Sequence, residues 1–313
     1  MANTIRLGEW LCFIEEEYLS TFIKEGGASI KFAVTEDGLK PALYEAVERR
    51  CRELDCIFVK IDAAKTRVYM PQDIFFEMAK QVDWRLSARR LVLRFAKESG
   101  YRVDAIDPSK ADNIFAAIGE VNDGLDPTFV LHELRPRIQD SVFKEYQMAK
   151  DFRVAMSHLC LAANTDQPVI DWLTGDNTKV SSVKPFAIHT PINRTTARHF
   201  IQSALFWFWY VGHGGTVIVL DSSRVTVSRN PRDGLKYYTK PMAMDHYELL
   251  REYIDETDKL IGALLIVVTD SAFLDYDDRS RGFGMYQALM TRVMDDVRDK
   301  ELVNPIASLV RLS

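Results

Sequence analysis

Four short apolar runs interrupt the polar texture of the chain: Ile30 to Val34, Ile57 to Ile61, Thr216 to Leu220 and Ala263 to Thr269. Each is nearly continuous in aliphatic and β-branched residues instead of alternating, which is the pattern of strands covered on both faces in a parallel sheet. Ser308 to Leu312 is a candidate fifth strand. Between the first two runs, Leu43, Ala46, Val47, Cys51 and Leu54 recur at helical spacing, giving a strand-helix-strand unit that requires a right-handed crossover. Thr195 to Val211 reads as a helix that reaches the Thr216 run through Gly212, Gly214 and Gly215, and Met244 to Lys259 as a helix before the next run. From Asp104 to Lys184 the pattern is helical around Ile114, Val142 and Val154 and interrupted by Pro108, Pro127, Pro136 and Pro168. The expectation is an α/β protein with a mainly parallel sheet, the Ile30 strand central, helices on its flanks and an α-helical insertion between the second and third strands. The segments are 1–103 for an N-terminal helix and the first half of the core, 104–184 for the insertion and 185–313 for the second half. No repeat or low-complexity linker separates them, so they are expected to pack together.

Composition narrows the class. Hydrophobic residues make up 47% and charged residues 27%, so the chain is neither a polyelectrolyte nor a membrane protein by composition. The formal net charge of -5 argues against a generally basic surface, leaving direct nucleic-acid contact open only through a local Lys/Arg patch. Cys12, Cys51, Cys56 and Cys160 show no paired spacing, no basic-then-apolar leader opens the chain, and the longest apolar stretch, Ala204 to Val211, is too short to cross a bilayer. A soluble cytoplasmic protein without membrane contact is expected.

The loop after the first strand carries the candidate chemistry. A P-loop ATPase places a Gly-rich turn there so that backbone N–H groups approach phosphates, with Lys on the β/γ-phosphates and a hydroxyl on magnesium. Here the segment reads Ala33-Val34-Thr35-Glu36-Asp37-Gly38-Leu39-Lys40-Pro41-Ala42-Leu43. Against G-x-x-x-x-G-K-[ST], Thr35 replaces the first Gly, Leu39 the Gly before Lys and Pro41 the magnesium hydroxyl; the loop is one residue short, and Glu36 and Asp37 would face the phosphates. An acidic turn before a helix with Pro in its first turn accounts for the same letters. The Thr216 strand ends in Asp221, where a Walker B strand would end, but Ser222 and Ser223 follow instead of an acid able to orient water.

With these stretches in place, the chain resembles the ATP-binding proteins of BREX-type phage-defence systems, a P-loop family related to AAA+ and STAND ATPases. The resemblance is carried by Gly26-Gly27-Ala28-Ser29-Ile30-Lys31-Phe32, by Asp171-Trp172-Leu173-Thr174-Gly175-Asp176, by the Gly215 to Ser222 strand, and by Leu265 to Thr269 leading into Arg281-Gly282-Phe283-Gly284-Met285-Tyr286-Gln287-Ala288-Leu289 and Arg292. It implies a P-loop NTPase-like fold and an ATPase ancestor, with Gly38, Lys40, Asp221, Ser222 and Thr269 at the cofactor site, Thr269 as a γ-phosphate sensor and Arg292 as an interface finger toward a neighbour. It also implies a C-terminal helical lid, which is not expected here because the chain stops at Ser313. A strand-end threonine and a solvated arginine are the ordinary readings of Thr269 and Arg292.

Other constellations are weaker. Asp270, Asp275, Asp277 and Asp278, with Asp221, could form a divalent-metal site for phosphodiester cleavage, although the turn-like run is better explained as a solvated loop. The six histidines show no metal-ligand spacing, and His213 reads as a turn residue. Phe206-Trp207-Phe208-Trp209-Tyr210 point around a helix, so most are expected in a core and one or two at an interface. The expected function is a degenerate P-loop subunit, a pseudo-ATPase with a structural or regulatory role in a prokaryotic antiviral complex. It would need no catalytic residue, metal or cofactor of its own, and would bind a protein partner or form a homo-oligomer. The alternatives are an active ATPase using ATP and magnesium through Lys40 and Asp221 beside a DNA-processing partner, and a metal-dependent nuclease using the aspartates.

Overall fold

A computed structural model describes residues 4–162, 166–277, 279–294 and 304–313. Helix α1 (Leu7–Phe13) runs into a π-helical stretch (Ile14–Phe22) and is followed by β1 (Ala28–Val34), α2 (Lys40–Glu53) and β2 (Ile57–Asp62). Then come α3 (Pro71–Lys80), α4 (Trp84–Glu98), α5 (Ile114–Val121), α6 (Pro127–Lys144), α7 (Lys150–Leu161), α8 (Gln167–Thr174) and α9 (Ala197–Tyr210). The chain closes with β3 (Thr216–Asp221), α10 (Lys240–Asp255), β4 (Ala263–Thr269), α11 (Gln287–Met294) and β5 (Leu309–Arg311). Two compact units result, one from Met1–Met78 with His213–Ser313 and one from Ala79–Gly212.

The first unit holds a five-stranded sheet in the order β2-β3-β4-β1-β5, with every pairing parallel. All five expected runs are strands of this one sheet. The Ile30 strand is interior, between β4 and β5, while β4 occupies the middle and is buried along its whole length. Alternate residues sort onto the two faces. Ala33, Val217, Val219, Leu264, Ile266, Val268 and Val310 pack with Leu43, Val47 and Cys51 of α2 and with Trp10, Leu11, Ile14 and Leu19 of the N-terminal helix. On the opposite face Phe32 stacks on Phe273 at 5.7 Å, and Phe273 meets Tyr247 of α10. Continuous aliphatic strands are therefore needed, because both faces are covered.

The second unit is helical. Its segment extends beyond the 104–184 read from the sequence, taking in α4 before and α9 after. Asp83, Asn113 and Asp126 cap α4, α5 and α6 by accepting N–H bonds of the first turn. Pro127 and Pro168 stand in the first turns of α6 and α8, where a missing N–H costs nothing. Pro136 does not interrupt its helix as expected: α6 runs through it. The apolar stripe Val130, Leu134, Ile138 and Val142 is buried along α6, and its packing outweighs the lost hydrogen bond. Phe206, Trp207 and Phe208 are buried in this unit, Phe208 lying 5.2 Å from Trp84, so most of the aromatic run is core, while Trp209 and Tyr210 are half-buried.

Candidate functional site

The chain leaves β1 toward β2, past β4 and β3, and leaves β4 in the opposite direction toward β5. Such a reversal opens a crevice at the carboxyl ends of the two strands, the place where parallel sheets hold ligands. Five of the residues singled out for this site lie there. Thr35 follows β1, Lys40 starts α2, Asp221 ends β3 with Ser222 directly after it, and Thr269 ends β4 opposite Val34.

The loop itself is a tight turn. Thr35 N–H continues the ladder by donating to the Thr269 carbonyl at 2.9 Å, and Leu39 N–H donates back to the Glu36 carbonyl at 3.0 Å. Gly38 is exposed, lies outside the left-handed region, and a Cβ built on it would meet nothing within 4 Å. Its glycine is not required by the backbone, in contrast to a phosphate-cradling position.

Lys40 is engaged on three sides. Its Nζ lies 2.6 Å from Ser223 Oγ, 2.7 Å from Asp37 Oδ1 and 3.6 Å from Asp221 Oδ2. Two of these contacts are short enough to be hydrogen bonds, and Asp221 adds a longer ion pair. The lysine side chain is only 10% exposed whereas that of Asp37 is 90% exposed, so a solvent-side carboxylate closes over an inward ammonium. Asp37 thus sits on the lysine's outer side as an anion supplied by the chain.

Asp221 is engaged likewise. Tyr44 O–H donates to its Oδ2 at 2.6 Å, and Ser223 N–H donates to its Oδ1 at 3.0 Å. Burial first, and then the charge and hydrogen bond of Asp221, push the Tyr44 phenol well above the ordinary tyrosine range, which keeps the donated proton in place. Lys60 Nζ lies 4.0 Å over the Tyr44 ring, and Asp62, opposite Asp221 in register, accepts from Ala64 N–H at 2.8 Å.

Ser222 is turned to a different partner, 3.0 Å from His246 Nε2. His246 Nδ1 lies 3.1 Å from the Val68 carbonyl. A carbonyl only accepts, so Nδ1 carries the proton and Nε2 accepts from the serine hydroxyl. Complete burial lowers His246 from its ordinary value to about 4, leaving it neutral. The pair joins the end of β3 to α10 and to the segment after β2. Thr35 Oγ1 and Thr269 Oγ1 are buried and have no hydrogen-bond partner among the described residues.

Arg292 lies apart from this cluster, on α11. It pairs with Asp255 of α10 through two nitrogens and donates to the Ala288 carbonyl at 2.9 Å. Its guanidinium is therefore engaged within its own chain. The aspartates after β4 are engaged by backbone and hydroxyl donors: Asp270 accepts from Ala272 N–H in its own turn and from Thr226 O–H in the segment after β3, Asp275 from Asp277 N–H, and Asp277 from Arg279 N–H. Asp278 lies outside the described residues. Among the described residues no group of three His, Cys, Asp or Glu side chains is placed to hold a metal ion. His213 is a buried turn residue with Nδ1 3.6 Å from Asp55.

Tyr44, His246 and the direct Asp37–Lys40 contact are absent from the sequence reading. Asp37 carried a signal, since it stands three residues before Lys40, a spacing that brings side chains together at a helix start, whereas Tyr44 meets Asp221, a partner that no local spacing indicates. His246 carried none.

Residues 127–313 match the model of a family described as BREX system ATP-binding protein BrxC/D. That span includes Asp221, Ser222, Thr269 and Arg292, whereas Gly38 and Lys40 precede it. No curated protein and no solved structure is significantly similar to the chain. No helix among the described residues is long and apolar enough to cross a membrane.

Proposed function

The chain belongs to the family of BREX system ATP-binding proteins, and from that premise we propose that it is a pseudo-ATPase of an antiviral defence system, keeping the P-loop scaffold for association with a partner and not for turnover. The observation that carries this reading is the closed set Asp37–Lys40–Ser223–Asp221–Tyr44. A γ-phosphate would need the outer side of Lys40, which Asp37 holds. A magnesium ion needs oxygen ligands in near-octahedral array, but each Asp221 oxygen already accepts a hydrogen bond, from Tyr44 O–H and Ser223 N–H, and Pro41 offers no hydroxyl. Magnesium nucleotide does not fit the residues as arranged.

Phosphoryl transfer depends on positioning and charge stabilisation. Ser222 follows Asp221 where an acid would orient water, and its hydroxyl is engaged with His246. The function then resides in what the scaffold contacts, either a second copy or a catalytic protein partner in the cytoplasm. The exposed position of Asp37 and the unpartnered Thr35 and Thr269 hydroxyls favour one second reading: a partner that draws Asp37 away could restore a nucleotide seat.

Titration with a fluorescent ATP analogue, with and without magnesium, separates the two. The pseudo-ATPase reading expects no saturable signal from the isolated chain or from Lys40→Ala. Saturable, magnesium-dependent binding that Lys40→Ala abolishes overturns it. If Asp37→Asn alone gains such binding, the second reading replaces it.

A further inference from the structure

The loops that follow β2 and β3 form one cationic rim on an acidic protein. From Arg224 to Lys240 the chain carries Arg224, Arg229, Arg232, Lys236 and Lys240 against the single acid Asp233. Arg224 holds Asp233 through two nitrogens at 2.7 and 2.8 Å, and its own side chain is nearly buried. The loop's one carboxylate is thus neutralised from beneath. The neighbouring loop repeats the arrangement: Asp62 accepts from Ala64 N–H, and Asp73 is held by Arg67. Lys65, Arg229, Arg232 and Lys236 are exposed, and among the described residues none of these four side chains makes a hydrogen bond or ion pair.

The two loops are fastened together. Lys236 N–H donates to the Ala64 carbonyl at 2.8 Å, and the buried Tyr238 donates its O–H to the Ala63 and Thr66 carbonyls. Arg281 holds the Tyr238 carbonyl from the other side. At the outer end, Asn230 accepts from Arg232 N–H and Asp233 from Leu235 N–H, fixing a turn whose Arg232 and Gly234 adopt positive φ. The cations are therefore displayed on an anchored turn, and every carboxylate named on the two loops has a partner within them.

We propose that this rim binds the phosphodiester backbone of a nucleic acid. The four cations are spread along exposed loops and do not converge on a buried pocket, so a lone anion would gain little from them. A polymer with regularly spaced phosphates engages several at once and releases its condensed counterions, which makes binding additive and salt-dependent. Contacts to phosphate alone carry no sequence information, so binding is independent of base order. The net charge of -5 opposes adhesion of a polyanion through the surface as a whole.

The test is fluorescence anisotropy of labelled duplex and single-stranded DNA of mixed sequence, titrated with the full chain at several salt concentrations. At least one of the two DNAs is expected to bind, with log affinity falling against log salt at a slope of about −2 to −4, given roughly −0.7 to −0.9 per phosphate. Arg229→Glu/Arg232→Glu/Lys236→Glu is expected to weaken binding at least about tenfold while melting like the parent. A control with the same charge change, Arg6→Glu/Arg135→Glu/Lys150→Glu, should bind nearly as the parent does. Lys65→Glu provides an independent arm on the other loop and should also weaken binding. Absence of binding at low salt, equal losses in the control and the loop variant, or a preference for poly-glutamate or anionic vesicles over both DNAs overturns the proposal.

Discussion

At the scale of single residues, His246 shows what burial requires. An imidazole sealed between Ser222 and the Val68 carbonyl stays neutral in the fold, with its value lowered to about 4, whereas the unfolded chain protonates it near 6.5. The unfolded state then binds more protons between those values, so this stability is fully present above about 6.5 and is lost as pH falls through the window. Between pH 7.5 and pH 5 the loss is about 2 kcal/mol. Urea unfolding at the two pH values should show it in the parent and not in His246→Gln; equal pH dependence in both would contradict the assignment. Tyr44→Phe removes a hydrogen bond to a charged acceptor and should cost about 1–2 kcal/mol in the same measurement. A neutral result would mean that the Tyr44–Asp221 contact contributes nothing.

Glycines separate the elements that need close backbone approach from those that do not. Gly38→Ala should be neutral or stabilise by up to about 1 kcal/mol, because nothing surrounds the position and the unfolded chain loses freedom. Gly284→Ala should behave oppositely. A Cβ there would lie 2.2 Å from the Tyr276 carbonyl oxygen, so the 275–285 loop must shift, at a cost of about 1–3 kcal/mol in urea unfolding. Similar effects at both positions would contradict this division. The family-like Gly282 and Gly284 are thus explained by loop packing, since Gly282 faces the same restriction against Ala272 and Asp275.

The strands were legible because both sheet faces are covered and force unbroken aliphatic runs. The edges of the helical unit were not. Half-buried Arg85, Arg89, Arg90 and Arg94 alternate with the apolar residues of α4, and Pro136 looks like a terminus although α6 continues through it. At the site, the strand pattern is enough to set Thr35, Asp221 and Thr269 at the ends of β1, β3 and β4 and Lys40 at the start of α2, but the partners that close around Lys40 and Asp221 depend on side-chain directions that such a pattern does not specify.

On the scale of the whole molecule, the phosphate and metal positions of a P-loop-like sheet are, in the proposed reading, filled by the chain's own groups, Asp37 against Lys40 and Tyr44 against Asp221. Light scattering of the purified chain, alone and after capture of native partners, should find a homo-oligomer or a stable complex with a catalytic protein; a strictly monomeric, partnerless protein would oppose the association half of the account. The most direct test of its central claim is thermal melting in excess magnesium ATP. A ligand at about 100 times its Kd adds about 2.7 kcal/mol to a folded state, which moves a chain of this size by several degrees. The account predicts a shift of less than about one degree for the parent, unchanged in Lys40→Ala. A shift of several degrees that Lys40→Ala abolishes would contradict it.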